Sequence, residues 1–201
     1  MPGKLRVIVG PMFSGKTTQL VHDIDRYWRA GKRCVIIKHT SDTRFAADAR
    51  IITHDEHEVA SRIPTILAAD LCDPEVRDCL ASAEVIGIDE VQFFTSYLFA
   101  ELTSASIMHT VDAIEAQVLD GKVVICGGLD TDYRRVPFTL PLVLISRAHE
   151  VVKLLAVCAN CGADAMCSAR IQPAREYSQS AIGGCDKYAA LCLACFLRNA
   201  A

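Results

Sequence analysis

The segment that most constrains the fold of this chain is a glycine-bearing loop close to the N-terminus. Residues Gly10–Thr17 read GPMFSGKT, which matches the pattern GxxxxGK[ST], and they directly follow the mostly apolar run Leu5–Val9. A strand that leads into such a loop is typical of a P-loop, in which backbone N–H groups and the next helix's dipole bind phosphate oxygens. Lys16 is then expected on the β- and γ-phosphates and Thr17 on Mg²⁺. The alternative is a chance match within a glycine turn.

A second motif places two acids at the end of another apolar run. Val85–Ile88 indicates a buried strand, and Asp89 and Glu90 follow it directly. In P-loop proteins the carboxyl end of a strand near the phosphates carries the Mg²⁺-binding aspartate. Asp89 is therefore the predicted second Mg²⁺ ligand, and Glu90 a candidate general base. The alternative is an acidic pair that only caps a loop.

Apolar runs and helical patterns alternate along the rest of the chain. Helical spacing of apolar residues follows the P-loop and stops near Gly31, and a second helical pattern covers about residues 96–119. The runs that indicate buried strands are Leu5–Val9, Cys34–Ile37, Val85–Ile88, Val123–Cys126 and Val151–Val157. Strands that alternate with helices predict an α/β fold with a mainly parallel sheet flanked by helices, as in P-loop NTPases, with ligands at the carboxyl ends of the strands.

The cysteines point to a metal site near the C-terminus. Four of the ten cysteines form two C-x-x-C pairs, Cys158 with Cys161 and Cys192 with Cys195. This spacing is typical of four thiolates around one structural Zn²⁺. A disulfide framework is not expected in a chain of this length without a secretion signal. Cys167 and Cys185 remain alternative ligands.

The segment between the two cysteine pairs is long. It spans residues 162–191, thirty in all, whereas compact zinc ribbons use about 15–20. Residues 172–187 are polar and glycine-bearing without a clear period, which favours a loop that is tied at its base by metal and covers a ligand as a lid. We expect an ATP-binding α/β domain over residues 1–150 and a zinc-binding subdomain over residues 151–201 that carries this lasso-like lid.

The net charge of −3 gives no electrostatic reason to expect nucleic acid or an anionic membrane as a partner. The uncharged stretches are too short to span a bilayer, and no apolar leader precedes the first predicted strand. We therefore expect small-molecule ligands and a cytoplasmic location.

Taken together, these motifs resemble the type II, cytosolic-type thymidine kinases along nearly the whole chain. The matching segments are GPMFSGKT at Gly10–Thr17, DTR at Asp42–Arg44, THD at Thr53–Asp55, IGIDEVQFF at Ile86–Phe94, LDTDY at Leu129–Tyr133 with Pro137–Phe138, and IGGCDKY at Ile182–Tyr188. The resemblance implies transfer of the γ-phosphoryl group of ATP to the 5′-hydroxyl of thymidine, with deoxyuridine as a second acceptor. It also implies one structural Zn²⁺, feedback inhibition by dTTP, and a homodimer or homotetramer.

The resemblance also assigns roles to individual residues. Glu90 would accept the proton of the 5′-hydroxyl, and Thr17 and Asp89 would hold Mg²⁺. The residues implied around ATP are Gly10, Pro11, Met12, Phe13, Ser14, Gly15, Lys16, Thr17, Asp42, Arg44, Asp89 and Gln92. Those implied around thymidine are Met12, Phe93, Leu129, Tyr133, Phe138, Ser168 and Tyr188, together with the backbone of Gln179, Ser180, Ala181, Ile182 and Gly183, which would read the edge of the base.

Some positions depart from the family pattern. Val91 stands where glycine is usual, Tyr133 where phenylalanine is usual and Ala181 where valine is usual, and these changes leave the reaction intact but bear on the range of substrates. Ser168 falls where the family usually has threonine against the 5-methyl group of the base. The segment between Phe94 and Gly121 is also longer than usual. A rival hypothesis is a P-loop ATPase whose zinc ribbon grips nucleic acid, but that function favours a basic, aromatic-bearing ribbon, and residues 158–195 contain few cations.

Overall fold

The computed structural model describes residues 2–41, 51–52, 58–59, 62–95, 104–171 and 184–199. Its main feature is one parallel sheet of six strands. In chain order the strands of the protein are β1 Lys4–Gly10, β2 Cys34–His39, β3 Ile51–Ile52, β4 Glu58–Val59, β5 Thr65–Ala68, β6 Val85–Asp89, β7 Val123–Leu129, β8 Glu150–Lys153, β9 Ala156–Val157, β10 Asp164–Ala165, β11 Cys167–Arg170 and β12 Tyr188–Leu191.

The order within the six-stranded sheet is β5-β2-β6-β7-β1-β8. Every neighbouring pair in it is parallel, which confirms the predicted sheet. The strand of the P-loop, β1, and the strand that ends in the acids, β6, both pair with β7. Only one strand therefore separates the two motifs, and because parallel strands end at the same edge, the motifs meet there.

Helices cover both faces of the sheet. They are α1 Lys16–Arg29, α2 Pro74–Ser82, α3 Ser104–Leu119, α4 Thr139–Arg147 and α5 Leu193–Asn199, and a 3-10 turn covers Val91–Phe93. No helix within the described ranges is long and apolar enough to cross a membrane.

The two faces of the sheet form separate hydrophobic clusters. Val7 and Val9 of β1 belong to one cluster and Ile8 to the other, because successive residues of a strand point to opposite faces. The first cluster takes Ile107, Val111 and Ile114 from α3 and Leu140 and Leu144 from α4. The second takes Leu20, Val21 and Ile24 from α1. Each fully buried aliphatic side chain contributes about 1.5–3 kcal/mol to folding, so the P-loop helix is fixed to the sheet by its own apolar side.

The C-terminal part is built from small antiparallel pairs. Strand β9 pairs with β10, and β11 pairs with β12. A third hydrophobic cluster joins them and includes Cys158 and Cys195. Phe13 of the P-loop packs against this cluster, so the small strands lie directly beside the phosphate loop.

Several elements differ from the sequence-based expectations. The predicted strand Val151–Val157 is divided into β8 and β9, because β8 pairs with β1 while β9 pairs with β10. Strand β5 and helices α2 and α4 lie where no regular element was predicted. Helix α2 has only two buried apolar positions, Val76 and Leu80, which leaves little periodicity to detect. The described part of the predicted helix at 96–119 begins at Ser104, and residues 96–103 lie outside the described ranges.

Candidate active site

The P-loop connects the end of β1 to the start of α1 with two left-handed residues, Phe13 at φ 64° and Gly15 at φ 79°. Gly15 is the N-cap of α1, and the left-handed conformation favours glycine there. A Cβ atom built on Gly15 would meet no heavy atom within 4 Å. The first turn of α1 thus begins beside open space, and the backbone N–H groups at such a helix start can bind an anion.

Polar side chains of the loop fold back onto one carbonyl group. The Lys16 ammonium donates to the Pro11 carbonyl oxygen at 2.6 Å, and the Ser14 hydroxyl donates to the same oxygen at 2.9 Å. Lys16 is only 8% exposed. The loop therefore keeps a buried cation at the mouth of an anion-binding turn, and this cation can exchange its carbonyl partner for a phosphate oxygen.

The two predicted Mg²⁺ ligands lie side by side. The Thr17 hydroxyl lies 3.1 Å from each carboxylate oxygen of Asp89, and Asp89 is 3% exposed. Hydroxyl and carboxylate oxygens are the hard donors that Mg²⁺ prefers. The pair lies next to the open N-terminus of α1, so these residues fit a Mg²⁺ ion that also contacts phosphate.

Glu90 is held in a defined position immediately after β6. Its backbone is left-handed at φ 51°, and its side chain is 8% exposed. The Gln92 side-chain amide donates to a Glu90 carboxylate oxygen, while its carbonyl oxygen accepts from the backbone N–H of Leu129 at 3.0 Å. Gln92 therefore connects the candidate base to the end of β7.

Gly128 makes room for this connection. A Cβ atom on Gly128 would lie 2.6 Å from the Gln92 carbonyl oxygen and 2.9 Å from a Val91 methyl group. Only glycine allows Gln92 and Val91 to approach β7 so closely. Val91, which departs from the family pattern, is fully buried and fills this contact.

Six of the residues expected around thymidine come from four separate segments. Met12, Phe93, Phe138 and Tyr188 are buried, and Leu129 and Tyr133 are half-buried. Burial raises the pKa of Tyr188, and the charge of Arg170 acts in the opposite direction. Tyr188 and Tyr133 therefore share a neighbourhood, with the Arg170 guanidinium 5.5 Å from the centre of the Tyr133 ring.

Arg170 was not among the predicted site residues. Its Nε and Nη1 atoms are buried and have no hydrogen-bond partner in the part of the chain that the structure describes. It ends β11, opposite Tyr188 in β12. No motif marks this position, since a single arginine in a short strand carries no signal until the hairpin brings it to the aromatic rings.

Ser168 makes a contact that its family position did not predict. It is 2% exposed, and its hydroxyl oxygen accepts from the backbone N–H of Met12 at 2.9 Å. This bond joins β11 of the C-terminal part to the P-loop. The role of Ser168 next to the base remains a prediction, and the structure adds this second contact.

Other predicted positions fall outside the described ranges. They are Asp42 and Arg44 on the nucleotide side, the backbone of Gln179–Gly183 on the base side, and residues 172–183 of the predicted lid.

The four predicted zinc ligands form one cluster. The Sγ atoms of Cys158, Cys161, Cys192 and Cys195 all lie within 4.8 Å of one another, and those of Cys161 and Cys192 are 3.6 Å apart. A tetrahedral site with Zn–S bonds of about 2.3 Å requires sulfur separations of about 3.8 Å. Hydrogen bonds from the backbone, foremost that of Cys192, lower the pKa of the Cys158 thiol to about 6. The cluster is compatible with zinc.

The two alternative ligands are not part of this cluster. Cys167 is buried in β11, and Cys185 is exposed. A neighbouring cation also suits thiolate ligands, because the Arg198 guanidinium donates a hydrogen bond to the Cys195 sulfur at 3.2 Å.

The fold and the site define a class of α/β protein, the phosphotransferases that bind nucleoside triphosphates. They combine a parallel sheet and a P-loop with a threonine and an aspartate whose oxygens fit Mg²⁺ and with a buried glutamate beside them. The family model described as thymidine kinase matches residues 3–196. The chain belongs to the thymidine kinase family.

Individual relatives agree with this assignment. The chain is 36% identical over 198 residues to cytosolic thymidine kinase of Homo sapiens, and the aligned region covers 98% of this chain and 75% of the human protein. It is also 36% identical over 197 residues to the thymidine kinase of raccoon poxvirus, covering 98% of both chains. Thymidine kinase 1 of Dictyostelium discoideum is 36% identical over 197 residues, covering 96% of this chain and 78% of the relative.

Proposed function

We propose that this chain transfers the γ-phosphoryl group of ATP to the 5′-hydroxyl of thymidine, giving ADP and thymidine 5′-monophosphate, and that deoxyuridine is a further acceptor. Membership of the thymidine kinase family supports the substrate. The observation that supports the reaction is the contact between Thr17 and Asp89, 3.1 Å from the hydroxyl to each carboxylate oxygen, next to the buried Glu90. The reaction serves pyrimidine deoxynucleotide salvage.

In this proposal the P-loop binds the triphosphate through the backbone N–H groups of residues 10–17 and through Lys16. Thr17 and Asp89 would hold Mg²⁺. When bound, the ion would supply positive charge that offsets the negative charge of the phosphate oxygens. The Lys16 ammonium exchanges the Pro11 carbonyl for phosphate oxygens. Because phosphoryl transfer needs little covalent help from the protein, positioning and charge supply most of the rate enhancement.

Glu90 has the role of general base. As the 5′-oxygen forms its bond to the γ-phosphorus and the bond from that phosphorus to the leaving ADP oxygen breaks, the hydroxyl proton passes to the Glu90 carboxylate. Such a base contributes about 10²–10⁴-fold. We assign Gln92 the task of orienting this carboxylate, in addition to its predicted place near ATP.

The nucleoside is enclosed by the aromatic and apolar residues between the P-loop and β12. Met12, Phe93, Phe138 and Tyr188 supply buried apolar surface for the base and sugar, and the backbone of residues 179–183 reads the base edge. Bound zinc would hold the C-terminal hairpins in place beside this pocket. We further propose that dTTP inhibits the enzyme, that residues 1–150 and 151–201 are its two units, and that it works in the cytoplasm as a homodimer or homotetramer.

The experiment that tests this function measures ADP release with a panel of nucleosides, with and without Mg²⁺. Thymidine should be the preferred acceptor, deoxyuridine should be accepted, deoxycytidine should be poor, and activity should require Mg²⁺. Nucleoside-independent ADP release that DNA stimulates would instead support the nucleic-acid-dependent ATPase.

The same assay tests the base. Glu90→Gln keeps the shape of the side chain but cannot accept a proton, so kcat should fall by about 10²–10⁴-fold while ATP still binds. Glu75→Gln makes the same change at an exposed position of α2 and should retain wild-type turnover. Turnover near wild type in Glu90→Gln, or a rise in KM alone, would remove Glu90 from this role.

A further inference from the structure

A second group of side chains that could hold a metal ion lies far from the four clustered cysteines along the chain. Asp70 and Cys72 belong to the connection between β5 and α2, and His109 lies on α3. One carboxylate oxygen, the Cys72 sulfur and one imidazole nitrogen all lie within 4.8 Å of one another. None of these residues has a part in the proposed phosphoryl transfer.

The geometry of the β5–α2 connection fixes two of the three groups. The Asp70 carboxylate accepts the backbone N–H of Cys72 at 2.9 Å, so both side chains project from the same tight turn. Asp70 and His109 are exposed and Cys72 is half-buried, which leaves the three ligand atoms accessible to an ion from solvent.

The spacing and the donor types suit Zn²⁺. Tetrahedral zinc with bonds of about 2.0–2.3 Å separates its ligand atoms by about 3.3–3.8 Å, so small side-chain rotations bring the three atoms onto one ion. A carboxylate oxygen, a thiolate sulfur and an imidazole nitrogen form a mixed set that matches borderline-soft zinc better than Mg²⁺ or Ca²⁺, which select oxygen.

The cluster also borders a cleft of about 650 Å³, which Asp70 and His109 line together with His39, Phe93 and Phe94. A metal with three protein ligands keeps its fourth position for water or another small ligand. This cleft gives the fourth position access to solvent.

We propose that Asp70, Cys72 and His109 form a second Zn²⁺ site, distinct from the four-cysteine site, with three protein ligands and an open fourth position facing the cleft. The ion joins α3 to the β5–α2 connection, two elements that are separate in sequence. It therefore stabilises the folded chain over the unfolded one, in which the ligands are apart.

The test uses the full chain, dialysed against a mild chelator and then titrated with Zn²⁺ alone, with bound zinc measured by elemental analysis after removal of free ion. Wild type should bind about two zinc ions per chain at saturation, and Cys72→Ser and His109→Gln about one each. The matched controls are Cys79→Ser on α2 and His22→Gln on α1, which make the same changes outside the cluster and should still bind two.

Two further measurements separate ligation from a loss of fold. Without added zinc, Cys72→Ser and His109→Gln should unfold at the wild-type temperature, and saturating Zn²⁺ should raise the unfolding temperature of wild type by about 5 °C more than that of either variant. In the Co²⁺-loaded chain, Cys72→Ser should lose part of the thiolate-to-cobalt absorption. A wild type that saturates at one zinc, or variants that keep the second, would overturn the proposal.

Discussion

Replacing Gln92 with methionine tests whether the orientation of Glu90 limits turnover. Gln92 is 3% exposed, and its amide both donates to the Glu90 carboxylate and accepts the Leu129 N–H at 3.0 Å. Methionine has a similar length and keeps the site filled, but it can make neither bond. The substitution therefore removes the connection between the base and β7 without creating a large cavity.

The size of the effect follows from these two bonds. Leaving the Leu129 N–H without its acceptor costs about 1–3 kcal/mol, and losing a hydrogen bond to a charged group costs about 1.5–3 kcal/mol. Extra apolar contacts of methionine offset part of this, so the free energy of unfolding should fall by about 2–4 kcal/mol. A carboxylate displaced by about 1 Å can lose about 10²-fold in rate, so kcat should fall by about 10–100-fold with KM nearly unchanged.

The assay compares kcat and KM for thymidine with a urea unfolding curve for each variant. Gln117→Met is the matched control, because Gln117 on α3 accepts a single bond from the Lys122 ammonium at 2.8 Å near the opposite edge of the sheet. Its turnover should equal that of wild type. In the double variant with Glu90→Gln, the Gln92→Met substitution should lower kcat little further, because Gln92 acts through Glu90. Full turnover in folded Gln92→Met, or additive losses, would refute the reasoning.

Three more outcomes follow from other parts of the protein. Elemental analysis after mild chelation should find about one zinc per chain in wild type and much less in Cys195→Ser. The reason is that structural zinc at four thiolates contributes on the order of 10 kcal/mol of apparent binding free energy. Equal zinc contents in both proteins would exclude Cys195 as a ligand. Ser168→Ala should lower the free energy of unfolding by about 1–3 kcal/mol and raise KM, because the Met12 N–H loses its acceptor, and unchanged values would show that this bond does not support the P-loop. Trypsin cleavage at Arg175, which lies within the predicted lid at residues 172–187, should slow when thymidine is bound but not with deoxycytidine. An unchanged cleavage rate during turnover would show that the base is recognised outside the predicted lid.

The chemistry of the P-loop, the acidic strand end and the paired cysteines could be predicted from the sequence because each depends on residues that are close in the chain. A glycine loop between an apolar run and a helical pattern is a local signal, and so is the acidic pair after Val85–Ile88. The parallel sheet could also be predicted, since continuous apolar runs are typical of strands that are buried on both faces.

Elements at the periphery of the sheet were harder to predict. Strand β5 and helix α2 bury few side chains, so their periodicity is weak. The division of Val151–Val157 into two strands has no signal in an apolar run, because the choice of partner strand is made by the surrounding structure and not by the run itself.

Contacts between distant residues were decided only by the tertiary structure. The positions of Gln92 between Glu90 and Leu129, of Arg170 beside Tyr133, and of Ser168 against Met12 each join segments that no local pattern connects. Sequence patterns report which groups are present and how neighbours in the chain are spaced, whereas hydrogen bonds across 37 or 156 residues exist only after strands and helices have packed. The residue types of the candidate site could therefore be predicted from the sequence, whereas the geometry that orients them is set by tertiary packing.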